Sequence, residues 1–234
     1  MSTSGQPFVL ELDGMQQSVV DLADPTRLAF DYMRRIGDLI DAMPAGRLRI
    51  LHVGGAAMTL ARYVVATRPG SRQIVLEPSV EVIDHVRAEV PLPARSGVKV
   101  RPVDGQSGIL EVRDASQDLV ILDAFAGGVV PTELTGLAFV EQVGRVLAPG
   151  GVFVANLVDR APFPAIRDFV ALVRSLGDVA VGVEPATLKG RRPGNLVVAC
   201  GAVPERPFGR PAPMEYRVHT GRAVSDSFGG GAMR

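Results

Sequence analysis

The stretch from Arg49 to Glu77 constrains the fold more than any other part of the chain. An apolar run (Leu48, Ile50, Leu51, Val53) stops abruptly at Gly54-Gly55-Ala56-Ala57, and a helical pattern follows at Leu60, Ala61, Tyr63, Val64 and Val65. That order reads as strand, tight turn of small residues, helix. A second short strand, Ile74 to Leu76, ends in Glu77, 23 positions after Gly54. Small residues let the backbone approach a ligand closely. An acidic residue about 20 positions on, at the carboxyl end of the next strand, accepts hydrogen bonds from both hydroxyls of a ribose. This is the geometry of a nucleoside-binding α/β domain. The turn reads Gly-Gly-Ala-Ala-Met-Thr and lacks the full G-x-G-x-x-G, so support has to come from the rest of the chain.

The alternation continues on both sides. Phe8 to Leu12, Asp13-Gly14 and Met15 to Leu22 read as a hairpin. Asp24 and Pro25 look like an N-cap and a first helical position, followed by Leu28, Tyr32, Ile36, Leu39, Ile40 and Met43 on one helical face. Further strands are predicted at 98–103, 118–123, 152–157, 179–183 and 195–200, with helices over 79–90, 135–147 and 162–176. The apolar run of Asp118-Leu-Val-Ile-Leu-Asp123 implies burial on both faces. Five strand–helix alternations followed by two strands close together predict a doubly wound, mostly parallel, seven-stranded Rossmann-like sheet with an antiparallel strand at one edge. The expected organisation is a hairpin arm at 1–24, the nucleoside-binding domain at 25–203, and a flexible tail or lid at 204–234, where Pro, Arg and Gly dominate. In such sheets ligands sit beyond the strands' carboxyl ends. Gly54, Glu77, Asp104 and Asp123 all end strands on one rim, and four such positions make a site.

Composition narrows the partners. The 25 basic and 25 acidic residues cancel, so no global field favours nucleic acid or an anionic membrane. Trp is absent and aromatics are only 5%, which argues against a stacking platform for single strands. A single cysteine, Cys200, allows no internal disulfide and suits a reducing cytoplasm. No apolar run approaches the roughly 20 residues of a membrane span, and the first residues lack the basic start and apolar block of a signal peptide. The expectation is a cytoplasmic protein with a small-molecule partner. The apolar Phe8–Leu12 arm suggests a homodimer in which the arm pairs with or covers a neighbour.

Among individual residues, Asp123 is the best-placed acid on the rim, with Asp31, Glu133 and Asp159 as helpers. His52 lies within a strand and reads as a core histidine. His85 and His219 have no metal-ligand company, so no metal is expected. Cys200 reads as core. Asn156 either lines the substrate side or caps a turn. Arg191 and Arg192 read as a solvated hairpin tip, with contact to an anionic substrate as the alternative.

In this order and spacing the motifs resemble the class I S-adenosylmethionine-dependent methyltransferase superfamily and, within it, the spermidine synthase-like branch of aminopropyltransferases, over roughly residues 10–200. Leu12-Asp13-Gly14-Met15-Gln16-Gln17 is similar to that branch's Leu-Asp-Gly-x-x-Gln segment, which implies a cofactor-side role for Gln17. His52-Val53-Gly54-Gly55 is similar to its glycine-rich first motif, Leu76-Glu77 to its ribose-holding acid, and Asp104-Gly105 to its adenine contact. Asp123-Ala-Phe-Ala-Gly-Gly-Val-Val-Pro131 resembles its Asp-Ser-Ser-Asp-Pro-x-Gly-Pro loop, and Leu147-Ala-Pro-Gly-Gly its approach to strand five. The resemblance implies the class I methyltransferase fold. It also implies S-adenosylmethionine or its decarboxylated form as co-substrate, transfer of an aminopropyl or methyl group, and a small acceptor such as an amine. Two aspartates that the branch uses for the aminopropyl group and the attacking amine are Ala57 and Ala126 here. That substitution implies slow or absent putrescine aminopropylation. It leaves open methyl transfer to a small molecule and a nucleoside-binding protein without the chemistry.

Overall fold

The computed structural model describes residues 7–12, 14–209 and 215–231, apart from the side chains of Leu12, Met15 and Gln17. The chain runs β1 (Phe8–Leu12), β2 (Met15–Val20), α1 (Asp31–Ala42), β3 (Arg49–Val53), α2 (Thr59–Thr67), β4 (Arg72–Leu76), α3 (Val80–Glu89), β5 (Val98–Arg101) and α4 (Gly105–Leu110). It continues through β6 (Gln117–Leu122), α5 (Leu137–Val146), β7 (Leu147–Asp159), α6 (Pro164–Val173), β8 (Asp178–Val183), α7 (Pro185–Leu188), β9 (Gly194–Gly201), β10 (Arg217–Thr220) and α8 (Arg222–Phe228). β1 and β2 pair antiparallel, and the other eight strands form one sheet in the order β10-β8-β9-β7-β6-β3-β4-β5.

The five strands from β5 to β7 in that order are parallel, and the period-2 alternation of their side chains feeds two cores. Ile50, Leu119, Ile121, Val152 and Val154 pack on one face with Ile36, Leu39 and Ile40 of α1 and Leu60 and Val64 of α2. Leu51, Val53, Val120, Leu122 and Phe153 pack on the other with Ile109, Phe139, Val140, Val143, Ile166 and Phe169. Burial on both faces explains the unbroken apolar run in β6. Among the described residues no helix is long and apolar enough to cross a membrane.

Three expectations need correction. The antiparallel strand of the last pair is not at the edge: β9 inserts between β7 and β8, pairing antiparallel with both. Residues 217–231 are not a loose tail. β10 adds to β8 as an eighth strand, from Arg217 opposite Val183 to Thr220 opposite Ala180, and α8 buries Val224 and Phe228. Phe228 meets the rings of Phe163 and His219 edge-on, with centroids 5.5 and 5.3 Å apart. Helix α1 begins at Asp31 and not at Pro25; before it, Asp24 caps a single turn through the Thr26 amide (3.0 Å) and hydroxyl (2.5 Å), closed by Arg27 N on Asp24 O (3.0 Å). The hairpin packs one face against its own chain. Leu10 and Val20 pack with Met58, Ala61, Val82 and Val86, while Ser18 Oγ accepts from the Ala57 amide and Val19 O from the Thr59 hydroxyl, each at 3.3 Å.

Helix α1 also secures the returning chain. The buried Arg35 donates to the carbonyl of Phe208 at 3.3 Å, and its guanidinium lies 5.5 Å from the centroid of the Tyr216 ring.

Candidate active site

A cavity of about 260 Å³ opens at the carboxyl ends of β3, β4 and β6. Its wall brings together Gly54, Gly55, Glu77, Asp104, Gly105 and Asp123. Gly54 turns with φ +93°, a conformation that glycine adopts without strain. A Cβ on Gly55 would sit 2.6 Å from Val75 Cγ1 and 3.1 Å from Glu77 Cβ, so this position has to be bare. Glu77 is already oriented: Oε2 accepts from the amides of Gly55 (3.2 Å) and Ala56 (3.0 Å), and Oε1 from that of Ser79 (3.1 Å). The carboxylate and the glycine turn therefore fix each other, with lone pairs remaining for a diol. Asp104 caps α4 through Ser107 N at 2.8 Å, and that hydrogen bond holds its carboxyl below the usual range. The side chain of Gln17 lies outside the described part of the structure.

The cavity is acidic. Glu77, Asp104, Asp123 and Glu133 line it, and among the described residues no lysine or arginine does. His52 also lines it, and burial lowers the imidazole pKa to about 4, keeping it neutral. Gln73 Nε2 donates to Ala61 O at 3.1 Å, so Gln73 Oε1 faces His52 Nε2 as an acceptor at 2.8 Å. The imidazole proton is thereby placed on Nε2.

Asp123 stands where β6 ends. Oδ1 accepts from Asn156 Nδ2 at 2.9 Å, and Oδ2 faces the Tyr32 hydroxyl at a longer 3.4 Å. Burial raises its pKa to about 6, against the lowering pull of both hydrogen bonds, and burial beside that carboxylate pushes the Tyr32 phenol well up. Tyr32 and Phe125 are shared with a second cavity of about 520 Å³, whose wall includes Asp31, Asn156, Glu184, Arg192 and Tyr216. Asn156 is fully buried, and its Oδ1 has no hydrogen-bond partner among the described residues. Of the three helper acids, Glu133 lines the first cavity and Asp31 the second. Asp159 does neither: its carboxylate caps the start of α6 through Ile166 N at 3.0 Å and Arg160 N at 2.7 Å. Ala57 is buried and lies off the cavity lining, whereas Ala126 is on it.

Sequence reasoning placed Tyr32 on the apolar face of a helix and passed over Ser18, Glu184 and Tyr216. A signal existed for two of them. A tyrosine on a buried face needs a partner for its hydroxyl, and Glu184 follows the last residue of β8 just as Glu77 follows β4.

No family model matches the chain. A polyamine aminopropyltransferase from Chromobacterium violaceum is 28% identical over 141 residues, which span 60% of this chain but only 53% of that relative. The crystal structure of a probable spermidine synthase from Corynebacterium glutamicum aligns over the whole chain and 90% of its own, with 30% identity and a TM-score of 0.89. At the level of fold alone, human methyltransferase-like protein 13 in complex with SAH aligns over 78% of this chain and 82% of its own, with 20% identity and a TM-score of 0.55. A spermidine synthase in complex with the transition-state analogue AdoDATO aligns over 94% and 77%, with 17% identity and a TM-score of 0.65. The architecture is that of the class I S-adenosylmethionine-dependent methyltransferases. Within that superfamily, the chain belongs to the spermidine synthase-like family.

Proposed function

We propose that the chain is an aminopropyltransferase-like enzyme that binds decarboxylated S-adenosylmethionine in the first cavity and an amine acceptor in the second. The observation that carries this reading is the wall of four carboxylates with, among the described residues, no lysine or arginine. S-adenosylmethionine ends in a carboxylate that needs a cation or a set of amide donors, and here it would face like charge. The decarboxylated form carries only positive charge at that end. In this reading Gly54 and Gly55 admit the nucleoside, Glu77 takes the ribose hydroxyls, Asp104 and Gly105 border the adenine, and Gln17 keeps the cofactor-side role that the resemblance implies.

The co-substrate supplies a carbon activated by its sulfonium neighbour, and the C–S electron pair leaves on sulfur. The work left to the chain is orientation and removal of one proton from the acceptor nitrogen as the N–C bond forms. Asp123, with a pKa of about 6, is ionised at neutral pH and takes that proton. Asn156 and Tyr32 hold its two oxygens.

Calorimetry with decarboxylated and ordinary S-adenosylmethionine tests the proposal. The decarboxylated form should bind at least tenfold more tightly. Tighter binding of S-adenosylmethionine would replace aminopropyl transfer with methyl transfer, and binding of neither would remove the nucleoside reading altogether.

A further inference from the structure

We infer that the acceptor carries a carboxylate, or a group of like charge, remote from its reacting amine, and that Arg192 receives it. This rests on the second cavity being the acceptor site. The wall of that cavity offers two different kinds of partner. Asn156, fully buried in the wall of this cavity, has Nδ2 committed to Asp123, while its Oδ1 has no partner among the described residues and is left as an acceptor for an N–H. Glu184 and Arg192 stand apart from it: β9 separates β7, which carries Asn156, from β8, which leads into Glu184. Two strand spacings amount to roughly 10 Å, enough for an acceptor chain of several atoms.

The carboxylates of this wall are already satisfied. Asp31 pairs with Arg34, and both oxygens of Glu184 bond Nη2 of Arg192, at 2.6 and 2.8 Å. A diamine's distal ammonium therefore meets either a neutralised carboxylate or the guanidinium itself, which repels it. An anion meets the opposite situation. The Glu184 pair engages only Nη2, leaving Nε and Nη1 outside it, and the Arg192 side chain is 57% exposed while Glu184 is 16% exposed. Glu184 thus fixes the guanidinium from the buried side, and Nε and Nη1 each keep a donor for a single charge-assisted hydrogen bond to an anion. The chemical class is an ω-amino acid or another amine with a distal acid.

The test is calorimetry on the full chain saturated with 5′-methylthioadenosine. ω-Amino acids of three to six carbons are titrated against α,ω-diamines of the same lengths. The tightest amino acid should exceed its matched diamine by at least tenfold. Arg192→Gln should abolish that preference and Arg192→Glu reverse it, with the melting temperature in methylthioadenosine showing that each variant is folded. A diamine that binds as well as or better than every amino acid overturns the inference, as does a preference unmoved in both variants. Failure of methylthioadenosine itself to bind would instead strike the nucleoside reading on which the inference stands.

Discussion

A Cβ atom on Gly54 would lie 2.7 Å from the carbonyl carbon of Asp123 and 2.8 Å from Ala124 Cα. The turn that opens the nucleoside cavity and the strand end that carries its acid touch through bare backbone, with no side chain able to yield. Gly54→Ala should therefore cost more than about 3 kcal/mol, from overpacking together with a left-handed φ. Gly127 is the control: its φ is +58° but nothing lies within 4 Å of an added Cβ. Gly127→Ala should cost only about 1–2 kcal/mol, the conformational part. Urea unfolding of both variants checks the difference, and equal losses would refute the contact argument.

Glu77→Gln preserves shape but exchanges a charged acceptor for an amide. Its Oε2 position currently serves two backbone amides of the glycine turn, so the substitution disturbs the turn and the proposed ribose contact together. Affinity for methylthioadenosine should fall by about 1–3 kcal/mol, the scale for hydrogen bonds to a charged group. Unchanged binding by a folded variant would move the nucleoside elsewhere.

Rate should rise with pH to a plateau, with an apparent pKa near 6 for Asp123. The Asn156 hydrogen bond lowers that pKa, so Asn156→Ala should shift the limb to higher pH and reduce the rate at neutrality. Single-turnover rates from pH 5 to 8 measure both effects. A limb that stays in place after loss of Asn156 would show that another group controls it.

Much of this rim could be read from the sequence because each strand is punctuated there by a glycine or an acid. Gly54, Glu77, Asp104 and Asp123 are local signals, visible without any knowledge of packing. On the wall of the second cavity only Glu184, just past the end of β8, carries a signal of that kind. Asp31, Asn156, Glu184, Arg192 and Tyr216 come from separate stretches and meet only when β7, β9 and β8 lie side by side. Tyr32 keeps the helical period of the core residues around it, so its reach to Asp123 was masked by the pattern that identified its helix. The last strand was hidden in another way. Val218, Val224 and Phe228 are sparse among polar and glycine residues, and it is β8, already in place, that gives them a surface to join. Asp24-Pro25 shows the converse error: Asp24 caps a single turn, and the helix starts only at Asp31.

Stability should respond to pH through two opposed groups. Asp123 is raised from 3.8 to about 6, so the folded chain holds this proton more firmly and stability falls as pH climbs from about 4 to 6. His52 is lowered from 6.5 to about 4, so the unfolded chain takes up the proton that the folded chain refuses, and stability rises as pH climbs from about 4 to 6.5. Each contribution is on the order of 3 kcal/mol, and together they nearly cancel. Asp123→Asn should leave the histidine unopposed, giving a urea midpoint that climbs steadily from pH 4 to 6.5. A flat profile in that variant would show that His52 does not titrate as its burial implies.

The ring of Tyr216, seated beside Arg35 on the returning chain, sets an order of assembly. Every described residue lining the first cavity falls between Ser18 and Leu134, whereas the described wall of the second is completed only by Tyr216. A nascent chain emerging from the ribosome thus has the residues for its nucleoside pocket long before those for its acceptor pocket. The same division separates what natural selection can alter. On the proposed assignment of the two cavities, changes around Arg192 and Tyr216 would retune acceptor choice while the first cavity, encoded upstream, keeps its shape.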